Sequence, residues 1–314
     1  MSALPATVLT AVRNGEAYVS DAISSVRAQT FQEFEHVIVD DASEDRTVEI
    51  VEAAMREDPR IRLLRRSERG FQATCLNDGL GIARGRYIFN LDADDMAAPE
   101  RIERQLAFMA ANPSLRACAG GTEPLGVLGG NGRRRRAFRA IPVRALRWWL
   151  VVRRNLTHST ACIERDAFES IGFYGSERAA QDVRVWCSLA RRFWLGICPD
   201  TVTYTRRHGG QVSAVMAGVQ RESAIDSITD HVKALAGPTW SREDASILYE
   251  LQKCSATPLV EGLRVLRRWD QLWRSDETLD REDRRVLARL GQTLRVRTII
   301  LRRPVARLVC RGGR

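Results

Sequence analysis

Lysine is almost missing from this chain: of 49 basic residues among 314, only Lys233 and Lys253 are lysine and the rest are arginine. The net charge of +10 therefore reads as a coding preference for arginine before it reads as a nucleic-acid surface, and no nucleic-acid partner is expected. Long apolar runs are missing too. Trp148 to Val152 is a typical one, far short of the roughly 20 residues that a membrane-spanning helix needs. The opening MSALPATVLTAV has no basic leader and contains Pro5, so no secretory signal is read there and the expected location is the cytoplasm. Seven cysteines, at 75, 118, 162, 187, 198, 254 and 310, show no C-x-x-C spacing. An odd number cannot all pair within one chain, which argues against a disulfide framework and a structural zinc site.

What is present is a globular composition. With 44% hydrophobic and 28% charged residues, collagen-like, coiled-coil and wholly disordered classes are excluded, and the length suits one large α/β domain with an appendage or two modest domains. The charge divides unevenly. Residues 1–130 hold 14 arginines against 20 acidic residues, whereas 131–314 hold 35 basic against 19 acidic, so any basic contact surface belongs to the second part.

The first hundred residues alternate between two patterns. Apolar strands are expected at 7–12, 36–39, 61–64 and 87–91, and amphipathic helices at 18–28, 46–56 and 71–83, with Ser43 as a helix cap and Gly85 as a helix stop. Cys118 to Arg139 turns glycine-rich and then basic through Arg133 to Arg136, the signature of a mobile loop. Helices follow near 143–153, 166–171 and 181–192, a strand near 159–163, and only helical signals after about Val212.

Such alternation implies a parallel sheet, whose ligands sit beyond the carboxyl ends of the strands. Two acidic tips, Asp40-Asp41 and Asp92-Ala93-Asp94-Asp95, fall there. Carboxylates gathered at one place need a cation or a donor-rich ligand, and hard oxygen ligands suit Mg²⁺ or Mn²⁺. Taken alone, Asp92 and Asp94 also read as a solvated turn before the helix that starts near Pro99.

The residues in this order resemble the family 2 glycosyltransferases. The resemblance runs from about Val8 to Ser213. It is carried by Val12-Arg13-Asn14-Gly15-Glu16, Ala28-Gln29-Thr30-Phe31, VIVDDASEDRT at 37–47, Asn77, Ala83-Arg84-Gly85, NLDADD at 90–95, Pro99-Glu100-Arg101, Asn155, His158-Ser159, AQDVRVWCSLARR at 180–192 and YTRRHGGQVS at 204–213. It implies a GT-A fold, an α/β architecture with a mostly parallel sheet flanked by helices, over residues 1–213. A helical region is then expected over 214–314.

The resemblance also implies roles. Asp41, with Asp40 beside it, matches the carboxylate that meets the nucleotide base, typically uracil; Arg84 matches a basic residue near the nucleotide, and Asn14 would line the same pocket. Asp92 and Asp94 match the D-x-D pair that reaches the ribose or diphosphate and holds Mn²⁺ or Mg²⁺. Asp182 matches the base that deprotonates an acceptor hydroxyl as the sugar carbon passes through an oxocarbenium-like state. His208 and Arg207 match the diphosphate or metal side, and His158 and Gln181 the acceptor side. The implied partners are a nucleotide-sugar donor, UDP-linked first, and a glycan, lipid-linked or small-molecule acceptor.

Read singly, Asp182 is a helix first-turn acid, His208 a loop histidine and His158 a hydrogen-bonded core histidine. Two departures from the family pattern stand out: Arg13 occupies a place usually aromatic, and Gln181 precedes Asp182 where glutamate is usual. They keep open a catalytically silent binding subunit of the same fold. A sugar-phosphate nucleotidyltransferase fits less well, because Val12 to Glu16 is a poor phosphate loop. A receiver-type signalling domain would be complete within about 120 residues and needs a lysine late in that span, but none occurs before Lys233. Arg133 to Arg136 and Trp148-Trp149 suit either a peripheral membrane contact or a solvated charge run beside a buried tryptophan pair, and oligomeric state stays open.

Overall fold

The computed structural model describes residues 4–125, 141–152, 156–176, 178–209, 216–252 and 259–300. The chain opens with β1 (Leu4–Val12), α1 (Val19–Arg27), β2 (Phe34–Asp40), α2 (Thr47–Glu57), β3 (Ile61–Arg65), α3 (Gln72–Ile82) and β4 (Gly85–Asn90). It continues through β5 (Met96–Ala97), α4 (Arg101–Ala111), β6 (Leu115–Pro124), α5 (Leu146–Val152), a 3₁₀ turn (His158–Thr160), β7 (Cys162–Glu164), α6 (Arg165–Ser170), α7 (Gln181–Arg192) and β8 (Trp194–Thr205). Four helices follow: α8 (Ala217–Ala236), α9 (Arg242–Gln252), α10 (Leu259–Ser275) and α11 (Arg281–Ile300).

One eight-stranded sheet runs in the order β3-β2-β1-β4-β7-β6-β8-β5. Every residue of β2 is buried, as expected of a parallel strand covered on both faces. The buried residues of α1 include Val19, Ala22, Ile23 and Val26, the apolar stripe of an amphipathic helix. The parallel expectation holds for β3, β2, β1 and β4, and the other half is mixed. There β7 runs antiparallel to β4 and β6, β6 runs parallel to β8, and β5 runs antiparallel to β8. The carboxyl ends of β1, β2, β4 and β8 and the amino end of β7 thus share one edge, where the loops carrying the acidic tips emerge.

Several local expectations are corrected. Residues 118–124 of the expected glycine-rich loop belong to β6; a Cβ on Gly120 would lie 2.4 Å from Val202 Cγ2, so glycine there lets β6 and β8 close together. The twelve-residue β8 has no counterpart in the sequence reading. Ser43 caps no helix: its hydroxyl accepts the N–H of Asn14 at 2.9 Å. Gly85 is the first residue of β4 rather than a helix stop, and a Cβ there would lie 2.3 Å from the backbone nitrogen of Thr7. The strand near 159–163 is a 3₁₀ turn followed by β7. Gly126 to Gly132, Arg133 to Arg136, Asn155 and residues 210–213 lie outside the described residues.

The C-terminal helices share a hydrophobic cluster with the sheet, running from Leu9 to Leu294. Trp148 and Trp149 are buried in it; Trp148 Nε1 donates to Asp276 at 2.7 Å and Trp269 Nε1 donates to the Trp148 carbonyl at 3.3 Å. The tryptophan pair therefore faces the protein's own helices. The five described cysteines are buried free thiols, and no described helix is long and apolar enough to cross a membrane.

Candidate active site

Two loops form the lip around the end of β2. Asn14 has a left-handed backbone, φ 49°, which asparagine tolerates, and its side-chain oxygen accepts the N–H of Glu44 at 2.9 Å. Gly15 N–H donates to Thr47 Oγ1 at 2.8 Å, Glu16 N–H to Asp45 at 3.1 Å and Arg46 N–H to Glu16 at 3.0 Å. The segment after β1 and the segment after β2 are thus laced together reciprocally. Arg13, at the position where an aromatic is usual, turns its guanidinium to Glu44 at 3.4 Å.

Asp40 and Asp41 are both buried. Asp40 accepts the N–H of Ser43 at 3.1 Å with one oxygen, and its Oδ1 is buried without a hydrogen-bond partner among the described residues. Asp41 Oδ1 accepts from Arg66 Nε at 3.1 Å and from Gly70 N–H at 2.7 Å.

Arg84 is a correction. It stands just before Gly85, which pairs with Leu4 at the start of β1, and its backbone N–H donates to Glu35. It therefore lies at the amino edge of the sheet, roughly 20 Å of strand away from the ligand edge. The cation beside Asp41 is Arg66, which also pairs with Asp78. The sequence reading missed it because its partner lies 25 residues earlier.

The second acidic tip is built over the 3₁₀ turn. Ser159 Oγ accepts the N–H of Asp92 at 2.9 Å, and Asn90 at the end of β4 reaches the Tyr174 hydroxyl at 2.5 Å. His158 joins them: its Nδ1 meets Asp92 Oδ1 at 3.0 Å and its Nε2 meets the Tyr174 hydroxyl at 2.8 Å. Burial works against charge on His158, but the adjacent Asp92 carboxylate outweighs it and leaves the imidazole pKa above its ordinary value. Burial likewise raises the Asp92 carboxyl, yet His158, the Ser159 hydroxyl and Arg101 together hold it below the carboxylate norm. Arg101 is a fully buried guanidinium beneath this tip, bonded to the Asn90 carbonyl at 2.7 Å. Asp95 is pushed up to about 7 by burial and by its neighbours Asp92 and Asp94.

Tyr174 is another residue the sequence reading passed over. It is pinned by reciprocal bonds with Asn77, Tyr174 N–H to Asn77 Oδ1 and Asn77 Nδ2 to the Tyr174 carbonyl, both at 3.0 Å.

The chain leaving β8 closes the site. His208 Nε2 meets Asp94 Oδ2 at 2.9 Å. Arg206 donates its N–H to Asp95 at 3.0 Å and its Nε to the Asp94 carbonyl at 3.2 Å, while Arg207 is exposed beside them. From the other side comes the first turn of α7. Gln181 is buried and donates to Gln72 Oε1 at 2.7 Å. The negative charge of Asp182, next along, is felt at both His158 and Tyr174. Asp40, Asp41, Asn14, Asp92, Asp94, His158, Gln181, Asp182, Arg207 and His208 therefore gather at one edge, and Arg84 does not.

Among the described residues no three His, Cys, Asp or Glu side chains form a ready metal cage. The Asp94–His208 pair fits a different kind of site, in which a hard divalent ion takes few protein ligands and fills its other positions with phosphate oxygens and water.

Comparison with known proteins follows from this geometry. The family model described as Glycosyl transferase family 2 matches residues 7–172. An uncharacterized glycosyltransferase of Haemophilus influenzae is 26% identical over 228 residues, 69% of this chain and 70% of its own length. The putative teichuronic acid biosynthesis glycosyltransferase TuaG of Bacillus subtilis is 36% identical over 103 residues, 33% of this chain and 41% of its own. Of solved structures, S. aureus TarS 1-349 in complex with UDP-GlcNAc superposes with a TM-score of 0.63 at 18% identity, covering 98% of this chain and 92% of that one. The mannosyltransferase PcManGT from Pyrobaculum calidifontis, in complex with GDP-Man and Mn²⁺, gives 0.59 at 16% identity over 96% and 86%. These two likenesses carry the fold, and the family match carries the rest: the chain belongs to glycosyl transferase family 2 and is a glycosyltransferase of GT-A fold.

Proposed function

We propose that the chain transfers a sugar, with inversion, from a nucleotide-diphosphate donor to an acceptor hydroxyl. The observation that carries this reading is the meeting at one sheet edge of an acidic tip tied to His208 and, from the opposite side, the Asp182 turn of α7. Asp41 and Asp40 would receive the nucleotide base, with Asn14 shaping the lip. Asp92 would reach the ribose or diphosphate through the oxygen that His158 does not occupy. Asp94 and His208 would hold Mn²⁺ or Mg²⁺, and a divalent ion there supplies positive charge for the departing diphosphate. Arg207, exposed beside them, suits phosphate oxygens. Asp182 takes the acceptor proton as the new bond forms on the face opposite the leaving group.

UDP is the first nucleotide to test, since TarS was solved with UDP-GlcNAc; GDP follows, since PcManGT was solved with GDP-Man. The setting we propose is bacterial surface polysaccharide, glycolipid or glycoconjugate synthesis, in the cytoplasm or at the inner face of the membrane. The transferase unit is assigned to residues 1–213 and the helical unit to 214–314. One observation favours a second reading, a binding subunit without turnover: neutral Gln181 leaves Asp182 without the usual acidic neighbour.

The test is calorimetric titration with UDP, GDP and dTDP, each with Mn²⁺ and with chelator, followed by a donor-hydrolysis assay. Metal-dependent binding of one nucleotide with turnover of its sugar donors supports the transferase. Binding without turnover of any donor supports the second reading, and no binding by a folded sample overturns both.

A further inference from the structure

The side of Tyr18 is occupied twice. His208, held to Asp94 at 2.9 Å, lies against the Tyr18 ring with centroids 4.7 Å apart and planes inclined at 33°. Arg206 places its guanidinium 4.9 Å from the centre of the same ring. Arg206 is in turn fixed at its far end by Asp21, one turn along α1, at 2.7 Å. Two alternate residues of the chain leaving β8 thus converge on one aromatic ring at the start of α1.

That ring is firmly mounted. Tyr18 N–H donates to the Gly15 carbonyl at 2.9 Å, and Gly15 belongs to the pair of laced loops through its bond to Thr47. A loop histidine with no such backing loses rotamer freedom each time it engages a ligand; one already stacked does not.

We propose that Tyr18 is a positioning residue of the donor site, whose ring backs the His208 imidazole so that it meets Asp94 in a single orientation. This rests on the reading of Asp94 and His208 as the metal and diphosphate side. Tyr18 acts through His208. The needed feature is the ring, so phenylalanine serves and leucine does not.

Two measurements test it. In metal-free protein, which has four histidines in all, the His208 ring-proton NMR signals are identified by their loss in His208→Ala. They should be shifted by the Tyr18 ring current, keep that shift in Tyr18→Phe and lose it in Tyr18→Leu. In calorimetry, the ratio of UDP affinity with Mn²⁺ to that with chelator should fall about 3- to 10-fold in Tyr18→Leu, the scale of one lost aromatic contact, and hold in Tyr18→Phe. The Tyr18→Leu, His208→Ala double variant should be no weaker than His208→Ala alone. An unshifted His208 in wild type, an unchanged ratio in Tyr18→Leu, or losses that multiply in the double variant would each overturn the proposal. An unchanged ratio in His208→Ala overturns the donor-site reading beneath it, and is distinguished by leaving the NMR result intact.

Discussion

The side-chain amide of Gln181 donates to Gln72 Oε1 at 2.7 Å, and the amide of Gln72 reaches on to Asp92 Oδ1 at 3.5 Å. Two neutral residues thus connect the start of α7 with the acidic tip after β4. Glutamate at 181 would set a carboxylate against the Gln72 carbonyl. If Gln72 turned over to compensate, its carbonyl would face Asp92 instead. Gln181→Glu should therefore lower kcat/KM by about tenfold, the scale of one buried polar group left unmatched. A gain in activity on this return to the family residue would show that the two glutamines do not act as a pair.

Asp182→Asn removes the proposed proton acceptor while keeping the size of the side chain. Transfer should fall by about 10²- to 10⁴-fold. UDP affinity should stay within about twofold, because the loss falls on the transition state rather than on donor binding. Full transfer by this variant would remove Asp182 from the role of base.

Acid should destabilise the fold through two buried histidines. His36 is held down to about 3 by burial, and His231 to about 4, against an ordinary value of 6.5. Because the unfolded chain binds these protons at higher pH than the folded one, stability is lost as pH falls below 6.5, at about 1.4 kcal/mol per pH unit for each histidine. His158, with its raised value, acts the other way: its contribution is complete below 6.5 and fades only above. Carboxylates such as Asp58, lowered from 3.8, lose their contribution further into acid. Asp95, pushed up to about 7, takes its proton in the folded chain first and offsets about one histidine over pH 6.5 to 5, so the check is the difference between variants. Urea midpoints should fall less steeply with acid over this range in His36→Gln and in His231→Gln than in wild type, and a slope that neither substitution changes would contradict the burial.

Two glycines four residues apart should behave oppositely. A Cβ on Gly85 would lie 2.3 Å from Thr7 N and 2.4 Å from the Ala6 carbonyl carbon, both backbone, whereas nothing lies within 4 Å of one on Gly81. Gly85→Ala should cost roughly 3 kcal/mol through overpacking, and Gly81→Ala, inside α3, should stabilise by roughly 0.5–1 kcal/mol. Urea denaturation of the two variants checks the signs.

Much of the first half was legible because β1 and β2 are buried along most of their length and read as apolar runs, and the acidic tips follow β2 and β4. Parallel alternation fixes which edge those tips share, so Asp41, Asp92 and Asp94 could be grouped before any coordinates. Arg84 misled because resemblance to a family motif does not say which end of a strand a residue precedes. Arg66 and Tyr174 stayed hidden since their partners, Asp41 and His158, are fixed by tertiary packing rather than by local periodicity. Residues 118–124 looked like loop because the close approach of β6 and β8 demands glycine, the residue that also marks turns. Trp148 remained ambiguous because the helices that bury it lie more than a hundred residues further on.

The reciprocal bonds between the segments after β1 and β2 have an evolutionary corollary. Five backbone N–H groups, of Asn14, Gly15, Glu16, Glu44 and Arg46, are answered only by side chains of the opposite segment. Grafting one segment alone from a relative would strand donors on both sides, whereas exchanging 13–18 and 42–47 together would keep each donor matched. The two segments should therefore vary together among relatives, and a chimaera that takes only one of them should be less stable than one that takes both.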